Sequence, residues 1–120
     1  MKKVLIFGCN EVTDALLSVL CSDIRYVSEI CLVSEDKACC DVLKKKYSSL
    51  PVRITTARAD INNETSTKMM LSIIQPELIV NLEKPELCMK LMKIALFQGA
   101  SYIDTTAKSG TAYAYTVRCL

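Results

Sequence analysis

Hydrophobic positions along the chain fall into two alternating patterns. Short runs of consecutive apolar residues are typical of strands covered on both faces, whereas apolar residues three and four apart are typical of amphipathic helices. The first pattern occurs at residues 3–7, 29–34, 77–82 and 101–105, and residues 52–57 are predicted to form a more polar strand. Helical patterns fill the intervals, so we predict the order β-α-β-α-β-α-β-α-β.

The spacing of apolar residues also predicts which face of each helix packs inward. The predicted inner residues are Val12, Ala15, Leu16, Val19 and Leu20, then Cys39, Cys40, Val42, Leu43 and Tyr47, then Met70, Leu71 and Ile74, and finally Cys88, Leu91, Met92, Ala95 and Leu96. Asp36 and Asn63 are predicted to begin the second and third helices, and Pro76 to close the third. Pro85 suits the first turn of the fourth helix, which Gly99 ends.

Strands that alternate with helices of this length form right-handed crossovers and a parallel sheet covered on both faces. We therefore expect an α/β fold: a Rossmann-like, doubly wound parallel sheet in a single three-layer α/β/α domain over residues 1–106. Residues 107–120 have no helical pattern. We interpret them as a tail leading to a catalytic domain that this chain does not contain.

Composition narrows the chemistry that the chain can perform. The net charge of +2 gives no reason to expect a nucleic-acid partner, and no apolar run approaches the roughly 20 residues that span a bilayer. We therefore predict a cytoplasmic protein without a membrane partner. The chain has no histidine, which is the commonest general acid–base residue, so we assign no catalytic residues and no metal site. Its seven cysteines follow no metal-binding spacing and are predicted to be structural residues, with Cys9, Cys21, Cys31 and Cys88 as small reduced core residues.

Ligands of an open parallel sheet bind beyond the carboxyl ends of the strands, where the strand order reverses. The residues predicted at that edge form the candidate cofactor-binding set: Gly8, Cys9, Asn10, Glu11, Val12, Ser34, Glu35, Asp60, Ile61, Asn81 and Pro85. Four of them follow or end different strands, so we expect Gly8, Glu35, Asp60 and Asn81 to line a single crevice.

The turn after the first strand is an altered form of the glycine-rich dinucleotide turn. Gly8 keeps the first glycine, which makes the tight bend, but Asn10 and Thr13 stand where the second and third glycines usually are. Asparagine tolerates left-handed dihedrals, so the bend is feasible, although its side chain intrudes on the phosphate site. Glu11 places a carboxylate at the helix N-terminus, where it competes with a diphosphate. Weakened dinucleotide binding is therefore expected.

An acid after the second strand accepts hydrogen bonds from the ribose hydroxyls of NAD and repels the 2′-phosphate of NADP. The sequence has Ser34, Glu35 and Asp36 at this point, with Lys37 as the nearest cation along the chain. If a dinucleotide binds, NAD is favoured over NADP. The alternative is that the two acids only favour the start of the second helix.

Three stretches resemble the N-terminal Rossmann domain of the saccharopine dehydrogenase family, including its carboxynorspermidine synthase-like members. They are "QPELIVNLEKPELCMKLMKIALFQGASYIDTTA" at residues 75–107, "ARADINN" at 57–63 and the opening "KKVLIFG". The resemblance implies the NAD(P)-binding half of an oxidoreductase acting on the C–N bond of an amino-acid adduct, with Asp60 beside the adenine. It also implies a following domain for substrate binding and dimerisation.

The chain departs from the family pattern at the ligand edge. Residues 8–13 replace the glycine-rich turn, Ser34 and Glu35 replace a serine–arginine pair, and Glu86 replaces an aromatic residue. The alternative is thus a non-catalytic Rossmann module that has lost dinucleotide binding and serves a structural or regulatory role. A ligand-gated regulatory domain like those of potassium-uptake systems fits residues 81–105 poorly.

Two further expectations concern the chain by itself. Without a substrate domain it is expected to be catalytically inactive. Apolar surface is expected where a further domain would dock, and a homodimer could form through that surface.

Overall fold

The computed structural model describes residues 3–21, 27–59, 63–82 and 88–104. The strands are β1 (Lys3–Phe7), β2 (Glu29–Ser34), β3 (Arg53–Arg58), β4 (Leu78–Asn81) and β5 (Ser101–Asp104). The helices are α1 (Glu11–Leu20), α2 (Lys37–Lys46), α3 (Glu64–Ile74) and α4 (Cys88–Gln98). The predicted alternation of strands and helices is confirmed.

The five strands form one parallel sheet in the order β3-β2-β1-β4-β5. The chain starts at the centre, moves outward through β2 and β3, and then returns to the other side of β1. The strand order therefore reverses between β1 and β4. At this point Phe7 pairs with Val33 on one side and with Asn81 on the other. The predicted Rossmann-like, doubly wound fold in a single α/β domain is confirmed.

Each face of the sheet is covered by its own hydrophobic core. Ile6 packs with residues of α1 and α2, such as Leu17 and Leu43, whereas Phe7 packs with Leu71 of α3 and Leu91 of α4. Consecutive strand residues point to opposite faces, which is why a continuous apolar run serves both cores. Full burial of such a side chain contributes about 1.5–3 kcal/mol.

The predicted inner faces of three helices are wrong in part. Val12 and Val19 of α1 are 54% and 66% exposed, Val42 of α2 is 67% exposed, and Leu96 of α4 is 51% exposed. Ala15 is exposed as well. The stripe of α1 that faces the sheet instead contains Thr13, Leu17 and Cys21, with Leu16 and Leu20 half-buried, and Ile94 is buried on α4.

The physical reason is that apolar spacing alone permits two stripes on α1, and a polar residue decides between them. Thr13 is fully buried and its hydroxyl donates to the Gly8 carbonyl at 3.0 Å. This bond sets the rotation of the helix against β1. The buried stripe of α3 agrees with the prediction at Met70, Leu71 and Ile74.

The predicted helix ends are confirmed where the structure describes them. Asp36 accepts a hydrogen bond from the Cys39 amide at 3.3 Å, and Asn63 accepts one from the Ser66 amide at 3.1 Å. Gly99 ends α4 with φ +76°, a backbone conformation that favours glycine. Pro85 lies outside the described residues.

Three side chains join α1 to the end of α2. The Tyr47 hydroxyl donates to the Asp14 carboxylate, and Lys46 Nζ lies 2.8 Å from Asp14 Oδ2. Hydrogen bonds from Lys46 and then Tyr47 lower the pKa of Asp14. The same hydrogen bonds to Asp14 raise the pKa values of Lys46 and Tyr47. Because Asp14 follows Thr13, this cluster also holds the first turn of α1 in place.

Candidate functional site

The carboxyl ends of β1, β2 and β4 meet at one edge of the sheet. The Gly8 amide donates to the Val33 carbonyl at 2.9 Å, and the Leu82 amide donates to the Phe7 carbonyl at 2.8 Å. Gly8, Glu35 and Asn81 therefore lie at the same edge, beside the point where the strand order reverses. The other predicted members Asp60, Ile61 and Pro85 lie outside the described residues.

Gly8 makes the bend between β1 and α1. Its φ is +118°, which a residue with a Cβ rarely adopts. Asn10 has φ −153° and ψ −172°, so it is extended and does not use the left-handed region that asparagine tolerates. The bend is thus confined to Gly8, and α1 begins directly after Asn10.

The side chain of Asn10 occupies the N-terminus of α1. Its Oδ1 accepts hydrogen bonds from the amides of Val12 at 2.9 Å and Thr13 at 3.1 Å. Its Nδ2 donates to the Leu82 carbonyl at 2.8 Å. Asn10 therefore bridges the crevice from α1 to the end of β4. The two amides are of the kind that hold a phosphate at a helix N-terminus, but here they are satisfied by the protein itself.

Thr13 contributes to this arrangement from the buried side of the turn. Its hydroxyl donates to the Gly8 carbonyl at 3.0 Å and accepts from the Asn10 amide at 3.3 Å. These bonds form a capping box with Asn10. The branched side chain that replaces the third glycine is therefore accommodated, because its only polar atom is satisfied in the buried contact. Sequence reasoning treated Thr13 as an obstacle and missed this role.

The residues at the end of β2 have different roles. Ser34 is buried and its Oγ accepts a hydrogen bond from the Asp36 amide at 3.2 Å. Asp36 caps α2 through the Cys39 amide, while Glu35 is exposed between them. Sheet pairing also brings a cation to this place, since Arg58 of β3 is in register with Ser34. Arg58 lies 24 positions further along the sequence and was missed for that reason.

A disulfide joins two parts of the same edge. Cys9, in the turn after β1, is bonded to Cys39 in the first turn of α2, with the Cα atoms 6.1 Å apart. The prediction that Cys9 is a reduced core residue is therefore wrong. Their 30-residue separation carries no motif, and only the neighbouring positions of the β1–α1 and β2–α2 connections bring them together.

The other cysteines that the structure describes in full are buried and are not disulfide-bonded. Cys21, Cys31 and Cys40 lie in the cores, as small hydrophobic residues do. Burial raises the pKa values of the Cys21 and Cys31 thiols. The core placement predicted for Cys21 and Cys31 is confirmed. The side chain of Cys88 is not among those that the structure describes.

Asn81 reaches the crevice with its backbone, not with its side chain. The side chain is fully buried, and its Nδ2 donates to the Tyr102 hydroxyl at 3.2 Å. This bond joins β4 to β5 directly beneath the crevice. Tyr102, also fully buried, was not among the predicted site residues, because a strand tyrosine has no sequence signal that distinguishes a hydrogen-bonded core residue from an exposed one.

The remaining predicted members lie on the outer side of the α1 turn. Glu11 is exposed in the first turn of α1, and Val12 is 54% exposed. Within the described ranges, no group of three or more acids or cysteines is arranged to hold a metal ion. No helix in the same ranges is long and apolar enough to cross a membrane.

Solved structures with the same architecture include a saccharopine dehydrogenase and two enzymes in complex with NAD. Apo saccharopine dehydrogenase (L-Glu forming) from Saccharomyces cerevisiae superposes with a TM-score of 0.75 at 14% identity, over 95% of this chain and 24% of that chain. The dTDP-glucose 4,6-dehydratase of Bacillus anthracis in complex with NAD gives 0.69 at 9% identity, over 87% and 37%. The Bordetella bronchiseptica enzyme WbmG in complex with NAD gives 0.66 at 10%, over 86% and 36%. These likenesses establish the fold, and the chain spans about a quarter of the yeast enzyme's length.

No curated protein matches the sequence significantly. The family described as "Saccharopine dehydrogenase NADP binding domain" matches residues 4–120, which is nearly the whole chain. This agrees with the resemblance of residues 75–107 and with the strand order. The chain therefore belongs to the saccharopine dehydrogenase NADP-binding domain family, whose cofactor is a nicotinamide dinucleotide.

Proposed function

We propose that the chain binds the adenosine diphosphate part of a nicotinamide dinucleotide in the crevice between β1 and β4. It would serve as the cofactor-binding part of an oxidoreductase acting on the C–N bond of an amino-acid adduct. The observation that supports this most strongly is the turn at Gly8, with φ +118°, which delivers the N-terminus of α1 to the reversal point of the sheet. A helix N-terminus at that point is the usual diphosphate site of this fold.

The hydrogen-bond donors at this site suit a diphosphate once the side chain of Asn10 turns away from them. The amides of Val12 and Thr13 are suitable donors, and both are held by Asn10 Oδ1. Loss of an asparagine cap costs about 1 kcal/mol, which corresponds to a roughly fivefold weaker affinity. Binding in this proposal is therefore weakened by self-capping and is not abolished.

We further propose that NAD is preferred over NADP. Capping of α2 is performed by Asp36, so the exposed Glu35 is not required for the helix start. Its carboxylate is available to accept hydrogen bonds from the ribose hydroxyls and to repel a 2′-phosphate. Arg58 at the end of the neighbouring strand β3 is a cation and favours a 2′-phosphate, so the expected preference for NAD is modest.

Calorimetric titration of the purified chain with NAD, NADP and ADP-ribose tests this function. We expect NAD and ADP-ribose to bind more tightly than NADP, and Glu35→Gln to reduce that preference. Asp36→Asn serves as the matched control, because it removes a charge from α2 while keeping a capping oxygen. Equal affinity for NAD and NADP in the wild-type chain would contradict the role of Glu35.

Catalysis and substrate binding would belong to a further domain, so we expect the isolated chain to be inactive. The outer faces of α3 and α4 offer a surface for such a domain or for a second copy. Met69, Ile73 and Phe97 are 62%, 79% and 84% exposed there. Gln98 Nε2 lies 3.3 Å from Ser72 Oγ, which shows that the two helices are neighbours. We also place the protein in the cytoplasm as part of this proposal.

A second candidate function is supported by Asn10 alone. A fully satisfied cap and a bridge to Leu82 are what a Rossmann module without a ligand would have. In that case the domain would serve a structural or regulatory role. Absence of binding to NAD, NADP and ADP-ribose by both the wild type and Asn10→Gly would favour this candidate.

A further inference from the structure

The disulfide connects the two segments to which the proposed function assigns the dinucleotide. Cys9 directly precedes Asn10, whose side chain covers the amides at the N-terminus of α1. Cys39 lies four residues after Glu35, in the first turn of α2. The bridge therefore runs between the proposed diphosphate position and the proposed ribose position.

This bridge limits the movement that binding requires. For a diphosphate to reach the amides of Val12 and Thr13, Asn10 must release both of them and its bond to Leu82. Cys9 immediately precedes Asn10, so the disulfide, which ties residue 9 to α2, restrains the backbone that carries the Asn10 side chain. The same tie fixes the gap between the α1 turn and the end of β2, where a ribose would have to fit.

We propose that Cys9 and Cys39 form a redox site that sets the dinucleotide affinity of this domain. The disulfide form keeps Asn10 in place on α1 and has the lower affinity, while the dithiol form lets the turn open and has the higher affinity. This inference rests on the proposed function, because it concerns the same crevice.

The chemical step is thiol–disulfide exchange with an external dithiol. A thiolate of that reductant attacks one sulfur of the Cys9–Cys39 bond, forming a mixed disulfide and releasing the other cysteine as a thiolate, which takes up a proton. The second thiol of the reductant, as its thiolate, then attacks the reductant's sulfur in the mixed disulfide and releases the second cysteine as a thiolate, which also takes up a proton. In total two electrons and two protons are transferred: the bridge becomes two thiols and the reductant becomes a disulfide.

Accessibility and environment favour this pair as a reactive site. Cys9 and Cys39 are half-buried at the edge of the sheet, whereas Cys21, Cys31 and Cys40 are buried in the cores. Thiols in apolar surroundings are poor partners for exchange. Disulfides of cytoplasmic proteins are mostly transient, catalytic or redox-sensing, so a bridge at the ligand edge suits a control function better than a purely structural one.

The test compares the affinity for NAD of the oxidised and the dithiothreitol-reduced chain by calorimetry. We expect reduction to tighten binding, by at most about fivefold, which corresponds to the full cost of releasing one asparagine cap. The double variant Cys9→Ser/Cys39→Ser should bind as the reduced chain does and should not respond to dithiothreitol. Cys40→Ala, a buried neighbour outside the bridge, should keep the full response. Equal affinities of the oxidised and reduced chains would overturn the redox inference while leaving the proposed function intact.

A second readout does not depend on a ligand. Hydrogen exchange at the amides of Val12 and Thr13 should become faster on reduction, because both are protected by Asn10. Exchange at the Ser66 amide, which Asn63 protects in the same way on α3, should stay unchanged. Unchanged exchange at Val12 and Thr13 would overturn the inference. Failure of the oxidised, reduced and Asn10→Gly chains to bind any dinucleotide would overturn the proposed function as well.

Discussion

The side-chain amide of Asn10 donates to the Leu82 carbonyl across the crevice at the centre of the sheet, over a distance of 2.8 Å. The two residues are 72 positions apart in the sequence. They come together because β1 and β4 are neighbours, and the strand order reverses between them. One asparagine therefore closes the place where this family's fold is expected to hold a diphosphate.

Replacing Asn10 by glycine should increase the affinity for NAD about twofold, because the asparagine cap that the diphosphate displaces is only a few tenths of a kcal/mol better than a glycine in its place. Glycine at a cap position costs only a few tenths of a kcal/mol in stability, so the variant should remain folded. Calorimetry measures the change. Asn63→Gly removes the corresponding cap of α3 and should leave the affinity unchanged. A weaker affinity in Asn10→Gly would mean that the asparagine contributes to binding.

Replacing Thr13 by valine should destabilise the domain by about 1–3 kcal/mol, since the Gly8 carbonyl and the Asn10 amide both lose the hydroxyl with which they bond. Valine keeps the shape of the side chain, so the loss measures the hydroxyl and not the packing. Urea unfolding gives the free energy of unfolding. Thr65→Val on the exposed side of α3 is the control and should change it little. An unchanged stability in Thr13→Val would show that the capping box is unimportant.

The Asp14 cluster should make stability depend on pH in two directions. The pKa of Asp14 is lowered by Lys46 and Tyr47, so its contribution is present above the ordinary aspartate range, near pH 4, and is lost as pH falls through the lowered value. The pKa of Tyr47 is raised by Asp14, so its contribution is present below about pH 10 and is lost as pH rises through the raised value.

Unfolding in urea at a series of pH values tests this cluster. Tyr47→Phe should lose the alkaline dependence that comes from the tyrosine while keeping the acid dependence from the Asp14–Lys46 pair. Asp14→Asn should reduce both. A pH profile of Asp14→Asn identical to that of the wild type would show that the cluster does not contribute.

The exposed apolar residues of α3 and α4 should cause self-association at high concentration if no further domain covers them. Ile73→Ser and Phe97→Ser should each weaken it about tenfold or more, since burying such a side chain contributes about 1.5–3 kcal/mol. Sedimentation equilibrium measures the association. Val19→Ser, a 66% exposed apolar residue on the opposite face of the sheet, is the matched control. If it dissociates the oligomer as strongly, the interface lies elsewhere.

Much of the fold could be predicted from local sequence, because apolar runs and helix caps act over a few residues. The alternation of strands and helices and the caps at Asp36 and Asn63 follow in this way. The rotation of α1 about its axis could not be predicted in this way, because it depends on the Thr13–Gly8 hydrogen bond and not on apolar spacing.

The candidate site was predicted less completely, because its decisive contacts join distant segments. The Cys9–Cys39 disulfide and the Arg58–Ser34 pairing depend on which strands are neighbours. Spacing along the chain carries no such information. The position of Gly8 was predicted because a tight turn between a strand and a helix has a local requirement for glycine.

The proposed function requires that a dinucleotide binds at the N-terminus of α1, between β1 and β4. An amide-resolved NMR titration of the reduced chain with ADP-ribose tests it most directly, because each backbone amide reports separately. We predict the largest shifts at Gly8, Val12, Thr13 and Glu35, with the amides of α3 unaffected. Saturating ADP-ribose without shifts at these amides, or with its largest shifts on α3, would contradict the account.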